Sequence, residues 1–183
     1  MKNIIFILIV IFSFLKIEAQ EIVILKKEAK ENTENIESNK HYKVPDSTSG
    51  KFEGIWVYND SNKTFKIKIV NTKTLVKSSG NYVSILKGLY CYSDINSNCE
   101  FIDIDKSLFY SSDPYKLFGN KISFNINDVE YKKIGHVIFE LLEDGTVKWT
   151  LQDREGIRLV KSDGAKQNKG FSIPTNVILT KEQ

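Results

Sequence analysis

The chain has 183 residues, of which 41% are hydrophobic and 27% are charged, a globular composition that allows one domain of ordinary size with additional segments. Its formal net charge is only +3, and its basic residues are scattered singly rather than gathered in a stripe with interleaved aromatic residues. These values exclude a disordered or membrane-embedded chain and argue against a nucleic-acid partner.

The first segment of the chain has the pattern of a signal peptide. Lys2 is followed by an almost entirely apolar run over residues 4–15. As a helix this run would span about 18 Å at roughly 1.5 Å per residue, well short of a bilayer core of roughly 30 Å. Charged residues end the run, and Ala19 is a small residue at which a signal peptidase would cut. We expect residues 1–19 to be removed and the mature chain, without a membrane span, to be exported to the periplasm or the cell exterior.

Residues 20–50 differ in composition from the remainder of the mature chain. A brief apolar run, Ile22–Leu25, precedes a mixed-charge stretch over residues 26–40 and then a turn-forming sequence. Such a segment offers little apolar surface to offset the entropy that ordering would remove. The composition predicts a mobile linker over residues 20–50, with His41 in solvent, followed by a folded domain over residues 51–183.

The folded domain opens with the pattern of a β-hairpin. Phe52–Tyr58 is rich in aromatic and β-branched residues, and a run of turn formers separates it from Thr64–Val70. The second run alternates between an apolar face and a lysine face, formed by Phe65, Ile67 and Ile69 on one side and by Lys66 and Lys68 on the other. The pattern indicates strands with one buried and one wet face.

Two cysteines flank a polar turn in the middle of the domain. Cys91 and Cys99 lie on either side of a sequence centred near Ile95, which reads as a hairpin that would place the two sulfurs on facing strands. An oxidising compartment would permit a disulfide bond between them. The alternative is two unpaired cysteines that only pack.

Strand patterns continue to the end of the chain, and turn residues separate them. Gly88 parts two of them, and Asp144-Gly145 is the strongest two-residue hairpin signal in the sequence. These further strands are expected over Tyr82–Lys87, Leu89–Tyr92, Cys99–Ile104, Lys121–Asn127, Gly135–Leu142, Thr146–Gln152, Gly156–Val160 and Phe171–Thr180. Strands therefore recur about every ten to thirteen residues, with no long amphipathic helix between them.

This spacing is typical of an all-β fold. The interpretation that fits it is a closed antiparallel β-barrel of about eight to ten strands, because closure removes the free edges that would template aggregation. A β-sandwich is the alternative.

Enzyme signatures are absent from the sequence. His136 is the only histidine of the folded domain and adjoins an apolar strand, while Asp103 and Asp105 alternate with apolar residues as any solvated strand face would. We therefore expect no catalytic residue, no metal site, no cofactor and no enzymatic activity.

The Gly54-x-Trp56 sequence at the start of the first strand is similar to the opening of lipocalin-like (calycin-like) barrels, and the resemblance implies that the antiparallel β-barrel is of this kind. The resemblance implies that Trp56 plugs the closed end of the barrel and that an arginine from a late strand packs across its ring by a cation–π contact. Arg158 lies on a predicted late strand and is the candidate for that structural role.

The order of motifs along the chain resembles that of a known family. The motifs are Phe52-x-Gly54-x-Trp56-x-Tyr58, Lys63-Thr64-Phe65-x-Ile67, Leu86-x-Gly88-x-Tyr90-x-Tyr92 and the closing Phe171-Ser-Ile-Pro174-Thr-Asn-Val-Ile-Leu179-Thr-Lys181. They resemble small exported proteins of unknown function from Flavobacterium-type Bacteroidota. The resemblance covers nearly the whole chain and implies an extracytoplasmic β domain, without an activity, a ligand or catalytic residues.

Two functions are compatible with these expectations. The first is a non-catalytic binding module for a small apolar or amphipathic ligand, held in a barrel cavity for which the candidate lining residues are Phe65, Phe124, Phe139 and Trp149. The alternative is a structural or protein-interaction domain of the cell envelope with a solid core, in contact with another envelope protein through exposed aromatic residues such as Tyr82, Tyr90 and Tyr92. The interior of the barrel distinguishes the two.

Overall fold

The computed structural model describes residues 20–27, 39–95, 97, 99, 101, 107–111, 114–153 and 170–182. Ten strands lie in this part of the chain: β1 Glu21–Ile24, β2 Lys40–Lys43, β3 Gly54–Asn59, β4 Lys63–Val76, β5 Asn81–Asp94, β6 Phe109–Ser111, β7 Lys121–Asp128, β8 Lys133–Leu141, β9 Val147–Asp153 and β10 Asn176–Lys181. A short helix, α1, covers Asp46–Ser49, and a 3₁₀ helix covers Pro114–Phe118.

Strands β3 to β10 form a closed antiparallel barrel. The strand order is β5-β4-β3-β10-β9-β8-β7-β6, and β6 pairs again with β5 to complete the circle. All eight strands are antiparallel to their neighbours in the barrel. The predicted fold, an antiparallel all-β barrel of the lipocalin-like kind, is confirmed, and the sandwich alternative is not what the chain adopts.

Side-chain alternation sets which face of each strand points inward. Phe65, Ile67 and Ile69 of β4 are fully buried, while Lys66 and Lys68 between them are only half-buried. The same period of two recurs on β7, β8 and β9, where every second residue enters the core. The core is therefore the barrel interior, as the sequence predicts.

Gly88 lies inside one continuous strand rather than between two. Strand β5 is 14 residues long and runs through this position. A Cβ atom added to Gly88 would come 2.0 Å from Cζ of Phe109. The glycine therefore admits the Phe109 ring instead of breaking the strand, and the predicted separation of Tyr82–Lys87 from Leu89–Tyr92 is wrong.

The structure also differs from the predicted mobile linker over residues 20–50. Within the described parts of that segment, β1 and β2 form a parallel pair, and β2 pairs in parallel with β5 at Tyr82 and Val83. Leu25 and Val44 are buried in the core. The few apolar side chains suffice here because the long β4–β5 hairpin extends past the barrel and supplies a ready-made edge for backbone hydrogen bonds.

The two ends of the barrel differ. At the α1 end, where β3 begins, Phe52, Trp56 and Leu117 are almost completely buried beside α1 and the 3₁₀ helix. At the loop end, where β5 finishes, lie the turns after β3 and β7 and the cysteine pair. The structure gives no helix, among the residues that it describes, long and apolar enough to cross a membrane.

Cys91 and Cys99 are bonded to each other. Their Cα atoms are 5.9 Å apart, and Ser93 Oγ lies 3.6 Å and 3.5 Å from the two sulfurs. Cys91 belongs to β5, whereas Cys99 comes after the turn and lies in no strand. The predicted pairing is confirmed, and most of the strand expected after Cys99 lies outside the described residues.

Replacement of both Cys91 and Cys99 by serine should lower the free energy of unfolding by roughly 2.5 kcal/mol, because the bond closes a short loop and mainly constrains the unfolded chain. Urea unfolding followed by tryptophan fluorescence measures the difference, with the reduced wild-type chain as control. A double variant that does not fold would contradict the view that the barrel forms without the bond.

Candidate functional site

The four predicted cavity-lining residues lie together inside the barrel. Phe65, Phe124, Phe139 and Trp149 come from β4, β7, β8 and β9, and each has 0% of its surface exposed. Phe65 and Trp149 have ring centroids 5.3 Å apart, and Phe124 and Phe139 are 6.0 Å apart, both pairs in edge-to-face contact. All four side chains therefore belong to the interior of the barrel, and their role as the lining of a ligand cavity stays a prediction.

Phe109 joins these two pairs into one series of contacts. Its ring centroid lies 5.0 Å from that of Phe124 and 6.1 Å from that of Trp149. The series continues from Phe139 to Trp56 and Phe52, at 5.6 Å and 6.2 Å. Edge-to-face contacts at these distances are the preferred packing of aromatic rings. The four predicted residues therefore pack against aromatic neighbours along the length of the interior.

Trp56 has a cationic neighbour, though not the predicted one. Nζ of Lys181 lies 5.3 Å from the Trp56 ring, and Lys181 pairs with Trp56 in the β3–β10 register. A Cβ atom on Gly54, whose φ is +121°, would come 2.8 Å from Cε of Lys181. The glycine leaves room for the lysine stem across the tryptophan. Arg158, the residue predicted for this structural role, lies outside the described residues.

The indole nitrogens of the two tryptophans also tie the barrel ends. Nε1 of Trp56 donates to the carbonyl oxygen of Phe52 at 3.0 Å, and Nε1 of Trp149 donates to that of Pro174 at 2.9 Å. Each tryptophan thus has a buried ring and a satisfied polar atom. Gly54 and Trp56 have structural roles at the α1 end.

A segment that we name the strap, Gly170–Thr175, crosses the loop end. The Phe171 ring lies over Gly135, where a Cβ atom would come 2.8 Å from the ring, and Ile173 is buried. The carbonyl oxygen of Thr175 accepts a hydrogen bond from the Leu151 backbone at 2.7 Å. The strap therefore passes from β9 over β8, and its apolar side chains fill this end of the interior.

Asp128, at the end of β7, binds the strap to a third strand of the barrel besides β8 and β9. Its side chain is fully buried and accepts from Ser172 twice, from the backbone N–H and from the hydroxyl, both at 2.6 Å. It also accepts from the Tyr131 backbone at 3.1 Å. A buried carboxylate is tolerated here because three donors surround it.

Lys133 supplies positive charge beside this carboxylate. It pairs with Asp128 in the β7–β8 register, and its Nζ donates to the carbonyl oxygen of Gly170 at 3.1 Å. The same atom lies 4.5 Å from the Phe171 ring and forms an ion pair with Asp153. The strap is thus fixed by one buried anion and one buried cation, neither of which the sequence pattern revealed.

Tyr90 completes the loop end. Its hydroxyl accepts from the Val129 backbone at 3.0 Å and donates to the carbonyl oxygen of Asn127 at 3.2 Å. Burial raises the pKa of the Tyr90 phenol, while the bond from Val129 opposes that rise. Tyr90 therefore stabilises the turn between β7 and β8, and its phenol stays protonated near neutral pH.

A second surface lies where the sheet extends beyond the barrel. Paired residues place Ile22, His41, Tyr82 and Leu75 in one row across β1, β2, β5 and β4. Ile24, two residues from Ile22, belongs to the same side of the sheet. We name these five residues the projecting face. Ile22, Ile24 and Leu75 are 59%, 49% and 46% exposed.

His41 is the polar centre of the projecting face. Its Nε2 lies 2.9 Å from Ser84 Oγ. Burial lowers the pKa of His41, and the positive charges of Lys73 and then Lys43 lower it further. Nζ of Lys73 also lies 4.2 Å from the Tyr82 ring and donates to the side chain of Gln20. The ring is therefore neutral near pH 7. The prediction that His41 lies in solvent is wrong.

The other residues considered for chemistry are described only in part. His136 lies half-buried on β8, in register with Asn125 and Gln152, and Asp103 and Asp105 lie outside the described residues. No cluster of three or more potential metal ligands occurs in the described part of the chain.

Asp128→Asn should destabilise the protein by roughly 2 kcal/mol, the usual cost of a buried donor left without its acceptor. The Tyr131 and Ser172 N–H groups use different carboxylate oxygens, and an amide offers only one oxygen. Urea unfolding measures the loss. Asp144→Asn is the matched control, because one oxygen of Asp144 accepts both bonds from Thr146 and the amide can keep them. Equal effects of the two substitutions would contradict the anchoring role.

Stability should fall as the pH is lowered through about 6.5, the ordinary pKa of histidine. Because the pKa of His41 is lowered in the folded protein, the unfolded chain binds the proton more readily, and protonation favours unfolding. At higher pH the ring is neutral in both states, so it has no such effect on stability. His41→Gln should remove that part of the slope, measured by urea unfolding between pH 5 and 8. An unchanged slope would show that the ring is not shielded.

Comparison with known proteins adds a family and no function. No curated protein and no solved structure matches the chain. One family model, described as a family of unknown function (DUF6705), matches residues 1–103 and 95–182, nearly the whole sequence. The match agrees with the expected family of unknown function. The chain therefore belongs to the DUF6705 family.

Proposed function

We propose that this protein is an exported, non-catalytic interaction domain, in which the barrel is a filled scaffold and binding takes place on its surface. The observation that carries the proposal is the series of ring contacts from Phe65 through Trp149, Phe109 and Phe124 to Phe139. Side chains that already pack edge to face would have to separate before an apolar ligand could lie between them.

The two barrel ends support the same view. Phe52 and Trp56 are buried at the α1 end, and Phe171 and Ile173 of the strap lie against the core at the loop end. A ligand that enters from the loop end would have to displace the strap from Asp128 as well as part the rings. Both steps cost contacts that are already made.

The projecting face supplies a surface for a partner. Its isoleucines and Leu75 are about half exposed or more, on a sheet that continues past the barrel. Exposed apolar residues that gather on one element are typical of protein contacts, whereas single ones are ordinary. Ile22 and Leu75 lie at the two ends of one row of paired residues, with His41 and Tyr82 between them, and Ile24 extends the apolar surface along β1.

Export is the expected setting. The pattern of residues 1–19 is that of a secretory signal, and the Cys91–Cys99 bond is compatible with an oxidising compartment. The partner would then be another molecule of the cell envelope or exterior. A small apolar ligand in the interior remains the competing hypothesis.

Titration with a small aromatic probe such as indole, followed by native mass spectrometry and thermal unfolding, tests the filled interior. The wild-type chain should bind no probe stoichiometrically and show no rise in its unfolding temperature. Phe124→Ala is the positive control, because a buried phenylalanine replaced by alanine leaves a cavity and costs about 3 to 5 kcal/mol, some of which the probe should restore. Saturable one-to-one binding to the wild-type chain would favour the ligand hypothesis instead.

A further inference from the structure

Strand β1 ends the sheet. The strand order begins with β1, and within the described part of the chain β1 pairs only with β2. The eight barrel strands have no edge, since β6 returns to β5. The β1–β2 pair is attached to the part of β5 that projects beyond the barrel. Strand β1 is therefore an edge of the described sheet, whereas the closed barrel has none.

The backbone groups at that edge belong to Ile22 and Ile24. The N–H of Leu25 donates to the carbonyl oxygen of Lys43 at 2.7 Å, so residue 25 directs its backbone toward the β2 side. Successive residues of a strand direct these groups to opposite sides, which places those of Val23 toward β2 and those of Ile22 and Ile24 toward the outer edge.

The side chains of the same two residues are apolar and exposed on one face of the sheet. Ile22 and Ile24 are 59% and 49% exposed, and they lie symmetrically about Val23. Natural edges are usually blunted by charged residues or proline within the strand, and here the charges, Glu21 before the strand's apolar part and Lys26-Lys27 after it, stand only at its ends.

We propose that a second copy of this chain pairs with β1, antiparallel and across a two-fold axis at Val23. Ile22 of one copy would face Ile24 of the other, and each such pair would exchange both of its backbone hydrogen bonds. Val23 would face its own counterpart on the axis. This inference rests on the proposed interaction function and names the partner.

The self-complementary pattern favours a second copy. A two-fold axis perpendicular to the sheet requires each residue to face one on the same side of its own strand, and the Ile22–Ile24 match satisfies this within the length of β1. Antiparallel pairing also brings Glu21 of each copy near Lys26 and Lys27 of the other, whereas parallel pairing would bring like charges together.

Sedimentation equilibrium of the purified chain, its N-terminus established by intact mass, tests the proposal. We expect a concentration-dependent species with twice the mass of one chain. Ile24→Pro should abolish it, because proline removes an N–H that the β2 ladder does not use while keeping an angle that an edge strand accepts. Ile178→Thr is the control: Ile178 is 47% exposed on β10, which is paired on both sides, and its dimer should be unchanged.

Cysteine variants test the register between the two copies of β1, even if Ile24→Pro disturbs the fold. Val23→Cys should form a dimer linked by a disulfide under mild oxidation. The two copies of residue 23 would face each other as a pair that exchanges no backbone hydrogen bonds, and the Cα atoms of such a pair are about 4.5 Å apart. Ile22→Cys should not link to itself, because its two copies would be diagonal neighbours at about 7 to 8 Å.

A chain that stays monomeric at every concentration, or that links equally through residues 22 and 23, overturns the proposal. Such a result leaves the interaction function in place with a different partner. Stoichiometric probe binding by the wild-type interior would instead overturn the interaction function itself, so the two failures are distinguishable.

Discussion

The barrel closes at one short contact between β6 and β5. β6 is three residues long and meets β5 at two pairs, Lys87–Tyr110 and Gly88–Phe109. Only a glycine at position 88 leaves space for the Phe109 ring, which then lies between Phe124 and Trp149. Closure of the sheet and packing of the interior thus depend on the same side chain. Neither would hold with a larger residue at 88 unless the ring moved.

This dependence has a consequence for where binding can occur. Aromatic rings bury roughly 150 to 250 Å² each and gain about 0.5 to 1.5 kcal/mol per pair from their geometry, so an interior connected by Phe109 resists the separation that a ligand would require. The outside of the barrel has no free edge to offer, because the strands form a circle. The long β4–β5 hairpin changes that by extending past the barrel, where β2 and then β1 add to it. The exposed edge strand is therefore β1, which lies outside the barrel.

Local patterns predicted most of the barrel, and contacts distant in sequence account for what they missed. Alternation identified the inward residues of β4, β7, β8 and β9, because a period of two depends only on the strand itself. Gly88 read as a break because its partner, Phe109, is far along the chain. The segment around β1 and β2 read as a linker because composition counts its own apolar residues and not the edge that β5 lends it. Of the candidate site, the four interior rings were found and their mutual contacts were not.

The closing part of the chain shows why its sequence carries more information than a strand needs. Phe171 and Ser172 act at the loop end, where one packs over Gly135 and the other binds Asp128. Lys181, ten residues later, reaches the α1 end and lies over Trp56. β10 fixes the distance between them, and the carbonyl oxygen of Pro174 fixes the start of the strand through Trp149. A segment that must satisfy both ends of a barrel at once tolerates few changes of residue or length, which is a physical reason for a specific motif here.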